Sequence, residues 1–190
     1  MRNIKAYVSI ASGILFCGSV LIGYMPIPEY AMELTCISNL CIGILLFCTG
    51  INILRNKKKI PGILYQMWLA AILFVCIISC VGHFNFQGAF FFLHLVNPLA
   101  FLAYYVIFVE DTPKGKKMLL TPMPVMGYLI FDYIFGIVRG TFVYGIFEVH
   151  RIGLTAILGI ACGVYFFVLM IAVITRSINQ KIRGIRSFQH

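Results

Sequence analysis

The chain has 190 residues, of which 61% are hydrophobic and only 11% charged, with a formal net charge of +9 and a mean hydropathy of +0.97. So apolar a chain cannot maintain a water-soluble surface and belongs to the membrane class. Its basic excess is not a nucleic-acid footprint, because no segment outside the apolar runs interleaves aromatic with basic residues.

Stretches of about 20 residues with few charges, the length that crosses a bilayer, occur six times, at roughly 4–24, 31–54, 62–82, 90–109, 119–139 and 152–175. They leave no room for a soluble domain, so residues 1–190 are expected to form one all-α, six-helix transmembrane bundle. The first run follows Arg2 and Lys5, as in a secretory signal, but it continues to Tyr24 with no small-residue cleavage site and reads as a span. Arg55, Lys57, Lys58 and Lys59 follow the second run, Lys114, Lys116 and Lys117 the fourth, and Arg176, Lys181, Arg183 and Arg186 the sixth. With Arg2 and Lys5, these place 13 of the 15 basic residues on one side, leaving Arg139 and Arg151 on the other. That bias predicts cytoplasmic termini and contact between the basic clusters and anionic headgroups. Short connections make successive spans antiparallel neighbours. Gly13, Gly18, Gly43, Gly136, Gly159 and Gly163 offer points of close helix approach.

Seven cysteines, at 17, 36, 41, 48, 76, 80 and 162, all fall inside the spans and form no CxxC pair. They read as small buried apolar residues. No metal-ligand spacing, phosphate-binding loop or nucleotide turn is present, so no cofactor or metal is expected.

Ionisable and amide side chains within a membrane are costly and face the bundle interior or a wet cavity. In the second span Thr35, Ser38 and Asn39 share one helix face at i, i+3 and i+4. In the fourth, His94 and Asn97 do the same. The third ends at His83, before Asn85 and Gln87, and the fifth carries Asp132 and, seven residues on, Arg139. Thr35 and His94 are each expected about five residues, or roughly 7 to 8 Å, inside the outer end of their spans. The inner halves read as almost free of such groups, which predicts a pocket near the external leaflet. Pro98 withholds an N–H from the His94 carbonyl and is expected to bend the helix beside His94 and Asn97. A lone span threonine usually bonds back to its own helix, and a lone buried histidine is usually a packing residue. The shared depth across several helices is what favours a functional polar pocket.

Several short motifs run in order along the chain. Thr35, Ser38, Asn39 and Leu40 form T-x-x-S-N-L; His94 and Pro98 form H-x-x-x-P; Arg139 and Gly140 precede Y-x-x-F-E at Tyr144, Phe147 and Glu148. Together they resemble the bacterial six-span relatives of the androgen-induced, androgen-dependent membrane hydrolases. The resemblance covers nearly the whole chain. Members of that family are intramembrane threonine hydrolases that cleave fatty acid esters of hydroxy fatty acids. The resemblance therefore implies Thr35 as nucleophile, His94 as its base, a lipid ester substrate and a bacterial plasma membrane. Ser38, Asn39, Asn97, Asp132, Arg139 and Glu148 are the substrate-binding or oxyanion candidates. The rival expectation is a non-catalytic lipid-binding or transport protein using the same pocket. Transport is disfavoured by an off-centre cluster and the lack of an internal repeat.

Overall fold

The computed structural model describes residues 2–82, 86–143 and 153–187. These residues contain no strand, and six of their helices are long and apolar enough to cross a membrane. They are α1 (Arg2–Tyr24), α2 (Leu34–Leu54), α3 (Gly62–Val81), α4 (Ala89–Phe108), α5 (Met123–Arg139) and α6 (Leu154–Ser187). A 3₁₀ turn at Pro28–Tyr30 precedes α2, and a longer one at Gly115–Leu120 leads into α5. The chain is an all-α, six-helix integral membrane protein.

Glycine determines the closest pairing. A Cβ on Gly13 would stand 2.7 Å from the Phe47 backbone nitrogen, and one on Gly50 2.7 Å from the Ala6 carbonyl. α1 and α2 therefore pack backbone to backbone along their length, as small residues permit in membranes. Gly43 belongs to the same seam, meeting Cys17 and the Gly13 carbonyl. The expectation of close approach does not hold at Gly18, Gly159 and Gly163, whose added Cβ would meet nothing within 4 Å. The atoms nearest a Cβ on Gly136 belong to the Phe142 ring, six residues on in sequence and just past the end of α5.

One end of the bundle collects basic side chains from several segments. Arg2 donates to the Ile53 carbonyl at 3.2 Å and Lys5 to the Phe108 carbonyl at 2.6 Å. Lys59 and Arg183 both reach Glu110, the latter through its backbone carbonyl at 2.7 Å. α6 continues 12 residues beyond its expected end at 175. At about 51 Å it exceeds the hydrocarbon thickness of roughly 30 Å. Its polar extension is held because Asn179 donates to the Tyr105 and Val109 carbonyls and Arg183 to that of Glu110.

The basic half is not poor in polar groups, contrary to expectation. Gln66 donates to Thr175 Oγ1 at 2.8 Å and to the Ala172 carbonyl at 3.2 Å, and accepts from the Tyr105 hydroxyl. Ser9 meets Tyr104 OH at 2.7 Å, and Thr49 bonds Tyr65 OH. All are buried. Each is uncharged and finds a side-chain partner on another helix, which spacing within one helix does not reveal.

Candidate functional site

α2 begins at Leu34, so Thr35 is its second residue rather than the fifth of a longer span. This position matters because the carbonyl one turn earlier, at Ala31, belongs to a turn, not to a helix. Ser9, Thr49, Thr175 and Ser177 each donate back to the carbonyl four residues earlier, the usual fate of a hydroxyl in a span. Thr35 does not. Its Oγ1 lies 3.3 Å from His94 Nε2, across 59 positions of sequence, with Thr35 3% and His94 7% exposed.

His94 is presented by a local change in helix type. Residues Phe92–Val96 form a π-helical turn inside α4, with the Asn97 N–H bonded to the Phe92 carbonyl five residues back. That register leaves the Leu93 carbonyl facing residue 98, and Pro98 has no N–H to give it. Asn39 Nδ2 supplies the missing donor at 3.3 Å. The expected effect of Pro98 is thus corrected in detail. The Leu93 carbonyl, not that of His94, is the one taken up by a side chain, and the helix absorbs the proline through a π turn. Pro98 then stands in the first turn of the following α-helical stretch, where an absent N–H costs little.

The amide N–H donors around the pair are all committed. Asn39 Nδ2 donates to the Thr35 carbonyl at 2.8 Å and to Leu93, while its Oδ1 accepts from Asn97 at 2.8 Å. Asn97 gives its other hydrogen to Ser19 Oγ at 2.9 Å, and Ser19 donates to Phe16 O at 2.8 Å. An amide has two N–H donors, so neither asparagine keeps one for an oxyanion. The two carbonyls facing Asn39 Nδ2 also fix its orientation, since a flipped oxygen would oppose them. Ser38 is likewise spent, donating to the Thr35 carbonyl at 3.3 Å.

Unspent donors lie in the backbone. Glu33 caps α2 without a side-chain hydrogen bond, and the first turn contact is Ile37 N–H to the Glu33 carbonyl. Among the described residues the N–H groups of Leu34, Thr35 and Cys36 enter no hydrogen bond and form the open start of the helix that carries Thr35. Choosing only among side chains misses this source; the helix start after Glu33 was its signal. Glu33 itself accepts from Tyr24 OH at 2.8 Å. Burial raises its carboxyl above the ordinary value, and the tyrosine bond partly offsets the rise.

The pair is walled by aromatic rings: Phe86 and Phe90 lie 5.9 and 5.7 Å from the His94 ring, and Tyr24 stacks edgewise on Phe90 at 5.6 Å. An apolar groove of about 230 Å³ between α2, α3 and α5 runs past Leu34 and Ile37, which bracket Thr35 in sequence. Thr35, Ser38, Asn39, His94 and Asn97 are thus brought into one cluster. Asp132 is buried and accepts from the Val143 N–H at 2.7 Å. Arg139 is exposed, with its guanidinium 5.8 Å from the Phe135 ring centre. Glu148, with Tyr144 and Phe147, lies outside the described residues, as do His83 and Asn85. Protein-family models, curated proteins and solved structures all fail to give a match to this chain.

Proposed function

We propose that the chain is an intramembrane lipid ester hydrolase in which Thr35 is the nucleophile and His94 the general base. The observation that carries this reading is a buried threonine hydroxyl held by a histidine nitrogen at 3.3 Å instead of by its own helix. A hydroxyl attacks an ester only when a neighbouring base takes its proton, and such contacts are often loose before substrate binds. Thr35 Oγ1 adds to the ester carbonyl carbon as His94 Nε2 takes its proton. The carbon–oxygen bond to the alcohol then breaks, and the alcohol leaves with that proton. Water, deprotonated by the same nitrogen, releases the fatty acid from the acyl-threonine. The negative oxygen formed at each addition is stabilised by the first-turn N–H groups of α2, where the helix dipole also favours negative charge. The motif resemblance points to fatty acid esters as substrates and to a bacterial plasma membrane, and the basic-residue bias points to cytoplasmic termini. In that orientation the dyad lies toward the external leaflet.

Binding without turnover is the competing reading, favoured by the commitment of every Asn39 and Asn97 amide N–H. Hydrolysis of lipid esters of several acyl lengths by purified protein separates the two. Turnover lost in both Thr35→Ala and His94→Ala supports the hydrolase. Lipid binding that depends on His94, with no turnover at any length, supports the binding protein.

A further inference from the structure

The basic end of the bundle carries a pocket of about 280 Å³, built from Glu110, Asp111, Thr112 and Lys114 after α4 and from Asn179 and Arg183 of α6. Two of the chain's six acidic residues therefore sit side by side among its densest lysines and arginines. Glu110 is neutralised by Lys59 at 3.4 Å and Arg183 at 3.9 Å. The Asp111 carboxylate and the Lys114 ammonium enter no ion pair among the described residues. Asn179, fully buried in the wall, gives both amide hydrogens to backbone carbonyls and keeps its Oδ1 without a hydrogen-bond partner.

An unpartnered buried acceptor, an unpaired carboxylate and, three residues on, an unpaired ammonium together suit a ligand that joins an N–H cation to an anion. The pocket lies where α4 ends and α6 leaves the apolar stretch, among the basic side chains that mark headgroup depth. We propose that it binds the headgroup of an ethanolamine phospholipid, the primary ammonium donating to Asp111 and Asn179 Oδ1 while the phosphate meets Lys114. A choline headgroup has no N–H for these acceptors. A glycerol headgroup has hydroxyl donors but no cation to balance Asp111. The assignment does not depend on the hydrolase reading, which concerns the other end of the bundle.

Native mass spectrometry of the full chain titrated with ethanolamine, choline and glycerol phospholipids of identical acyl chains tests it. The native protein should retain the ethanolamine lipid roughly fivefold better than either other lipid, the size expected of charge-assisted bonds at a half-open site. Asp111→Asn should shrink the preference for the ethanolamine over the choline lipid by removing the charge but not Asn179 Oδ1, and Lys114→Ala should weaken all three. Both positions are exposed, so both variants should fold. Soluble phosphoethanolamine should displace the lipid only at a large molar excess. Equal retention of ethanolamine and choline lipids, or preference for the glycerol lipid, overturns the assignment. Displacement by equimolar phosphoethanolamine overturns the lipid source in favour of a soluble zwitterion.

Discussion

Two buried polar clusters occupy opposite ends of one bundle, built from much the same residue types. At the basic end, Thr49 and Thr175 each bond back to their own helix and also meet a partner side chain, Tyr65 for one and Gln66 for the other. Their hydroxyls are fully used, and the cluster ties α2, α3, α4 and α6 together. At the other end, Asn39 and Asn97 do the tying, and Thr35 is left with its oxygen toward a histidine. What separates glue from a candidate reactive group is therefore not polarity or depth but what each hydroxyl has left to give.

The largest effects should expose this difference. Thr35→Ala, His94→Ala and the double variant should each lower ester turnover by roughly 10³-fold or more, with the double variant little worse than either single one. Thr49→Ala and Thr175→Ala should leave turnover intact and cost about 1 kcal/mol of stability, read by reversible unfolding in mixed micelles. Loss of turnover in the Thr49 variant alone would erase the distinction.

Pro98→Ala sharpens the comparison next. Restoring an N–H at position 98 gives α4 a regular alternative to its π turn and should rotate His94 away from Thr35. Turnover should fall by roughly 10²-fold, as small misplacements of a reacting group do, without loss of thermal stability. Asn39→Ala should act differently, destabilising by about 1–3 kcal/mol because it strips donors from the buried Thr35 and Leu93 carbonyls. An unfolding midpoint unchanged by Asn39→Ala would remove its role as the tie between α2 and α4.

The smallest effect is a pH dependence at the start of α2. The Glu33 carboxyl is raised in the fold by burial, so its protonated form is the one the fold favours. That stability is full below the ordinary value of 4.5 and is lost as pH rises through the higher folded value. Glu33→Gln keeps an acceptor for Tyr24 and stays neutral. It should match the native protein in acid and be the more stable of the two at neutral pH, measured as melting temperature against pH.

The six spans were legible because each is a run of apolar residues closed by charges or prolines. So was the gathering of Thr35, Asn39, His94 and Asn97, through their i, i+3 and i+4 spacing. The π turn was not, because proline in a helix predicts only a lost bond; which carbonyl is orphaned depends on how the neighbouring helix answers, here through Asn39. The network of Gln66, Tyr105, Thr175 and Asn179 escaped for a related reason. Its members are uncharged; Thr175 and Asn179 share a face of α6 at i and i+4, but Gln66 stands on α3 and Tyr105 on α4, and nothing in one helix's spacing announces a partner on another.

The central claim is that the Thr35 hydroxyl is activated by His94. Treatment of the membrane-embedded protein with a fluorophosphonate probe, followed by peptide mass spectrometry, tests it most directly. The expected result is a single adduct on Thr35, absent in Thr35→Ala and greatly reduced in His94→Ala, with Thr49 and Thr175 unmodified. Native protein that remains unlabelled at Thr35 under conditions that label a known membrane serine hydrolase, or labelling of Thr35 undiminished in His94→Ala, contradicts the claim.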